Sequence, residues 1–271
     1  MAESCLVDGR PSDHVAADDR GLAYGDGVFR TLRLARGRPV AWAAQYARLA
    51  HDCRALYLPT PAADVVARDL TRLGGMLGPA IAKIMVTRGS SGRGYTPALQ
   101  ANARRIVTVT SADPSTLPDS LELERSPVAF GDQPLLAGVK HLNRLEQVLA
   151  RRDCAERHSA DALMCDSSGR MISTTMRNLV FADAAGHWWT PKLTRAGVAG
   201  ATRQRLMAAR AELGRPITVS DIELSALPEF TAVVACNSVG DAISVSRIAE
   251  QCFVASSGLA RQANALLRDS E

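Results

Sequence analysis

Helical and strand-like patterns alternate irregularly along this chain, and that irregularity limits its fold more than any other feature. Over 42–58, Trp42, Tyr46, Leu49, Cys53 and Leu56 recur at spacings of three and four, which predicts a helix with one apolar stripe. A second helix is expected over 63–77, closed by Gly74, Gly75 and Pro79. The runs AIAKIMVT (80–87) and RIVTVT (105–110) are rich in β-branched residues and read as strands, with the glycine-rich RGSSGRGYTP between them. SADPSTLPDS, with two prolines and no periodicity, marks a linker. The second half opens with a strand (LELERSPVAF), then a helix from about Asn143 to Glu156. A meander of ALMCD, NLVFAD and HWWT follows, turned by DSSGR and AAGH. A helix after Gly200, running to about Leu213, a buried strand TAVVACN and a closing helix over 256–268 complete the pattern. Strict βαβ alternation is absent, so the fold class expected is α/β of the α+β type rather than a doubly wound sheet. At 271 residues the chain suits two domains, divided here as 1–113, a linker at 114–120, and 121–271.

Several function classes fall away on composition. No apolar run reaches the roughly 18–20 residues that span a bilayer, and MAESCLVDGRP lacks the basic start and apolar middle of a secretory signal. A cytoplasmic protein without a membrane partner is expected. The six cysteines lie far apart, with no C-x-x-C pair and no histidine at a metal spacing, which favours reduced thiols over disulfides or zinc. A net charge of +4 invites a nucleic-acid reading. The arginines are dispersed, however, aromatics are only 4%, and no nucleic-acid-binding motif is present, so no nucleic-acid partner is expected.

Of 32 basic residues only three are lysines: Lys83, Lys140 and Lys192. A lysine can lose its proton and form an imine, which arginine does not do, so an amine nucleophile has three possible positions. Lys140 lies between the apolar LLAGV and the start of a helix, where a side chain can point into a cleft; the same spacing also suits an exposed lysine beside a helix capped by Asn143. The loop Gly89–Gly94 lacks the G-K-[ST] ending of a nucleotide loop. It is either a plain connection or the carrier of a carboxylate clamp formed by Arg88 or Arg93.

The stretch LAGVKHLNRLEQVL, 136–149, closely resembles the lysine segment of the 4-amino-4-deoxychorismate lyases, which are fold-type IV pyridoxal-phosphate enzymes. DRGLAYGDGVFRT, RGSSGRGY, NLVF, AGVAGATRQ and ACNSVGDAISV agree in order, and these are shared more widely with branched-chain and D-amino-acid aminotransferases. The resemblance implies a two-domain enzyme with pyridoxal 5'-phosphate in the interdomain cleft, held as a Schiff base on Lys140. It further implies that Arg48, Ala201, Thr202 and Ser238 hold the cofactor phosphate, a role that a helix start at Ala201 suits on physical grounds. Arg93 would meet a substrate carboxylate, and Tyr24 and Arg144 would line the pocket. One departure stands out: Ser173 occupies the position where the family commonly places a glutamate against the pyridine nitrogen, and a hydroxyl cannot hold a charge there. The implied reaction converts aminodeoxychorismate to 4-aminobenzoate and pyruvate for folate synthesis, with Lys140 also moving the proton, in a homodimer. A fold-type IV aminotransferase and a non-catalytic cofactor-binding or interaction protein are the alternatives.

Overall fold

The computed structural model describes residues 4–75, 77–92, 94–98, 102–112 and 117–269. The chain divides into two units: Met1–Pro114 with Val139–Asn143, and Ser115–Gly138 with Arg144–Glu271.

The first unit contains β1 (Cys5–Val7), β2 (Arg10–Pro11), the short α1 (Arg20–Tyr24), β3 (Gly27–Ala35) and β4 (Arg38–Pro39). Helices α2 (Trp42–Ala55) and α3 (Ala63–Gly74) follow, then β5 (Ala80–Thr87) and β6 (Arg104–Ser111). Its sheet is antiparallel in the order β2-β1-β6-β5-β3-β4. Val28, Leu32 and Leu34 of β3 share a core with alternate residues of β5 and β6, against Leu49 and Cys53 of α2 and Val66, Leu70 and Leu73 of α3. The apolar stripe expected on α2 packs there, with Trp42, Tyr46 and Leu56 at its margin. Each such buried aliphatic contributes about 1.5–3 kcal/mol. β3 escapes a reading by apolar alternation because Arg30 stands at an inward position between Val28 and Leu32.

β4 pairs only with Leu34 and Ala35, leaving the edge beside the start of β3 open. Val139–Asn143 takes that edge. Phe29 N–H donates to Lys140 O (2.9 Å), Leu142 N–H donates to Gly27 O (2.9 Å), and Val139 enters the core. A division into consecutive stretches assigns these five residues to 121–271; backbone pairing assigns them to the first unit.

The second unit runs through β7 (Ser120–Arg125), α4 (Leu145–Glu156), β8 (Asp161–Cys165), β9 (Met171–Thr174), β10 (Asn178–Asp183) and β11 (Trp188–Pro191). It continues with α5 (Ala201–Glu212), β12 (Thr218–Ser220), a 3-10 turn (Leu224–Glu229), β13 (Phe230–Asn237), β14 (Asp241–Ile248), β15 (Gln251–Cys252) and α6 (Ser256–Asp269). The sheet order is β12-β11-β10-β13-β14-β7-β8-β9, with β15 on β14. β11–β12, β14–β7 and β7–β8 are parallel. The AVVAC centre of TAVVACN is apolar because both faces of β13 are covered there. Val233 and Ala235 face Leu179, Phe181 and Leu123, whereas Ala232, Val234 and Cys236 face Leu206 of α5 and Leu259 and Leu267 of α6.

Two sequence expectations need correction. The strand LELERSPVAF ends at Arg125. Val128 N–H turns back onto Ser126 Oγ (3.1 Å) and Pro127 has no N–H for a ladder, so Phe130 pairs only as an isolated bridge with Asp166. The helix after Lys140 begins at Leu145, not Asn143. Instead of capping it, the Asn143 amide donates to Gly25 O (3.2 Å). Among the described residues no helix is long and apolar enough to cross a membrane.

Asp161, wholly buried at the start of β8, fastens the segment before β10. Its carboxylate accepts from Thr174 Oγ1 (2.8 Å), Thr175 N–H (3.1 Å), Thr175 Oγ1 (2.5 Å) and Arg177 Nη1 (2.8 Å). Asp161→Ala leaves Arg177 buried without its carboxylate, and a loss of about 3–5 kcal/mol is expected. Urea unfolding of the variant measures it; a loss below about 1 kcal/mol, the scale of a surface ion pair, sinks the account.

Candidate active site

In the first unit Lys140 occupies the edge position on β3, with Nζ 4.3 Å from the Phe29 ring centroid. Lys83 and Lys192 are exposed while Lys140 is half-buried, so Lys140 is the most sheltered of the three amines. Lys83 Nζ lies 5.2 Å from the same ring. The N–H of Lys140 donates to Asp52 Oδ2 (3.1 Å), and Arg48, one helical turn before Asp52 on α2, donates to Asp52 Oδ1 (3.0 Å). Arg30 of β3 pairs with Asp52 Oδ2 as well. Burial holds the Arg48 guanidinium below its ordinary pKa, Asp52 opposes that shift, and Arg30 adds to it. The structure thus brings Arg48 and Lys140 onto one carboxylate. Neither Asp52 nor Arg30 was singled out from the sequence; the i,i+4 spacing of Arg48 and Asp52 was the one available signal.

Tyr24 lies against Tyr95, ring centroids 5.4 Å apart, with Arg20 Cζ 4.8 Å from the Tyr24 centroid. Arg20 donates to Gly94 O (2.9 Å), Tyr95 O (2.8 Å) and Asp26 (2.9 Å), fixing the glycine-rich loop beside α1. Arg88 donates to the same Asp26 (2.7 Å) and to Leu56 O (2.7 Å) and Tyr57 O (3.1 Å), so it fastens the hairpin. Burial alone would raise the Asp26 carboxyl, but hydrogen bonds from Arg88 and Arg20 outweigh it and hold it below the usual value. Arg93 lies outside the described residues. Arg144 is the N-cap residue of α4, without a side-chain capping bond.

In the second unit Ala201 and Thr202 open α5, whose N-cap residue is Gly200, without a side-chain cap bond of its own. Its first N–H groups and the helix dipole suit a phosphate. Thr202 Oγ1 and Ser238 Oγ stand 3.4 Å apart, bringing two further hydroxyls to the same helix end. The preceding loop is pinned from both sides. Asn178 accepts from Gly200 N–H (3.0 Å) and donates to Val198 O (2.7 Å), while Gly138 exchanges backbone bonds with Gly197 and Ala199 (both 3.0 Å). The glycines of AGVAGATRQ follow from this crowding. Gly197 has φ +83°, and a Cβ at Gly200 would fall 2.4 Å from Asn178 Oδ1. Arg203 then anchors α5 to Thr190 Oγ1 (2.9 Å) and Pro191 O (3.0 Å). Ser173, on β9, is buried, and its hydroxyl donates to Thr174 O (2.7 Å).

Taken unit by unit, the start of α5 and its neighbouring hydroxyls suit a phosphate, and the Lys140 amine of the first unit suits a carbonyl. Cys53 and Cys236 are poor candidates for a nucleophile, since burial pushes both up to about 12 and keeps them protonated near neutrality.

The model of the amino-transferase class IV family matches residues 27–248. An aminodeoxychorismate lyase of Vibrio harveyi is 33% identical over 250 residues, covering 89% of this chain and 90% of that protein. The crystal structure of 4-amino-4-deoxychorismate lyase from Pseudomonas aeruginosa superposes with a TM-score of 0.88 at 35% identity, covering 98% of each chain. A hypothetical aminotransferase from Mycobacterium tuberculosis, in its PLP-bound form, gives 0.83 at 18% identity over 98% of each chain and shows a shared fold.

The crowding at Gly200 is testable by a double-mutant cycle. Gly200→Ala forces Asn178 off its two partners and is expected to cost about 1–3 kcal/mol in urea unfolding. Combined with Asn178→Ala, which removes the obstructing atom, the loss should fall short of the two single losses added together. Strict additivity would show that Asn178 does not hold this loop.

Proposed function

Because the chain belongs to the class IV aminotransferase family, we propose that it is a lyase converting 4-amino-4-deoxychorismate to 4-aminobenzoate and pyruvate, with pyridoxal 5'-phosphate as cofactor. The observation that carries this reading is the near full-length similarity to a lyase of that activity in both sequence and structure. The bound cofactor supplies an aldehyde for a lysine amine and a ring that withdraws electrons from the substrate.

Lys140 is the amine that holds the cofactor, and its Nζ then takes the C4 proton of the substrate ring and returns a proton to the departing enolpyruvyl group. Arg48, the N–H groups at Ala201 and Thr202, and the Thr202 and Ser238 hydroxyls bind the phosphate. Ser173 presents no carboxylate to the pyridine nitrogen. Loss of the enolpyruvyl group makes the substrate ring aromatic, which reduces the electron withdrawal that the site must supply. Arg93, with its planar fork, binds a substrate carboxylate, and Tyr24 and Arg144 line the pocket. All six cysteines are free, which suits a cytoplasmic protein.

A homodimer is part of this reading. Leu145, Val148 and Leu149, at helical spacing along α4, are 75, 58 and 53% exposed. Such a stripe suits a second copy of the chain. Leu149→Glu is expected to shift the protein toward monomer in sedimentation analysis. An unchanged sedimentation profile would locate the interface elsewhere.

The activity itself is tested by assaying pyruvate with no keto acid present. The wild type should release pyruvate and 4-aminobenzoate together, and Lys140→Ala should be slower by at least about 10²–10⁴-fold. An obligatory keto-acid acceptor would make the protein an aminotransferase instead.

A further inference from the structure

The geometry points to Asp52 as a positioning residue: the two oxygens of its carboxylate set the backbone of Lys140 and the guanidinium of Arg48, an inference that rests on the cofactor reading above. Oδ2 accepts from Lys140 N–H (3.1 Å) and from Arg30, and Oδ1 accepts from Arg48 (3.0 Å). His51 Nδ1, on an exposed residue, lies 3.3 Å from Oδ1. Asp52 is wholly buried, so water cannot replace these donors, and Arg30 and Arg48 are themselves 3 and 5% exposed. The three parts of the structure that meet here are α2, β3 and the Val139–Asn143 segment. Regular backbone hydrogen bonds hold α2 and β3, and two bonds to β3 hold the segment, so the carboxylate transmits a fixed position. Two guanidinium groups and one carboxylate leave a net charge of +1. That charge suits an arginine assigned to a phosphate, while Asp52 limits the cost of burying two cations together.

A residue that merely filled space would not need two acceptor oxygens. An amide has one acceptor oxygen and one donor nitrogen. Asp52→Asn can therefore satisfy the Lys140 side or the Arg48 side, but not both. Because that variant also removes the carboxylate that two buried arginines share, it is paired with Arg30→Met/Asp52→Asn, which restores the net charge of the cluster.

The test uses the full-length protein stripped of cofactor, with the folded fraction checked by circular dichroism. Pyridoxamine phosphate, which has the phosphate but no aldehyde, reads the Arg48 side through its dissociation constant. Pyridoxal, which has the aldehyde but no phosphate, reads the Lys140 side through the rate of borohydride-trapped attachment, located by peptide mapping. In the folded variants at least one of these should be weakened by about tenfold, the scale of one lost hydrogen bond. If both stay within about twofold of wild type while only thermal stability falls, Asp52 is a structural residue and the inference is overturned. Attachment in the wild type at a lysine other than Lys140 would overturn the cofactor reading and this inference with it. Normal wild-type attachment with undiminished variants would overturn this inference alone.

Discussion

A charge removed from water has to be met by other buried groups, and this requirement organises both units. Each unit contains a wholly buried aspartate that gathers arginine and backbone donors. Asp52 joins α2 to β3 and to the segment bearing Lys140. Asp161 fixes Thr174, Thr175 and Arg177, the residues that lead into β10. Asn178, the first residue of β10, then holds Gly200 and Val198, and so the start of α5. The position of that helix end thus depends on a carboxylate 40 residues earlier in the chain, through hydrogen bonds that are almost all sheltered from solvent.

The preference for arginine has a structural side. Arg20 and Arg88 share Asp26, Arg105 pairs with Asp69, Arg203 satisfies a hydroxyl and a carbonyl, and Arg247 spans Glu122 and Glu124. A planar fork can serve several acceptors at once, which an ammonium group does less well. These five arginines thus direct their charge to acceptors within the chain. Under the proposed function, Lys140 is the position where a dissociable amine is required. The Ser173 hydroxyl is committed to Thr174 O; under the same proposal, the reaction's own aromatisation lessens the need for a charged partner at the pyridine nitrogen.

Much of the secondary structure was legible along the chain. The stripe of α2, the β-branched runs of β5 and β6, and the apolar run of β13 each depend on neighbours two to four residues away. Lys140 stood out by the rarity of lysine and by the segment around it. β3 was less legible because Arg30 occupies an inward position, and an inward arginine resembles an exposed one until its partner is known. That partner is 22 residues away, and the contact between Asp52 and the Lys140 backbone spans 88. The sequence by itself determined the helical and strand periods, the candidate amine and the glycine-spaced start of α5. Tertiary structure alone decided that Val139–Asn143 joins the first sheet, that Asn143 binds Gly25 rather than capping α4, and that Asp52 gathers Arg30, Arg48 and Lys140. Periodicity is a property of local backbone geometry, whereas the partner of a buried charge depends on which faces the folded sheet and helices bring together.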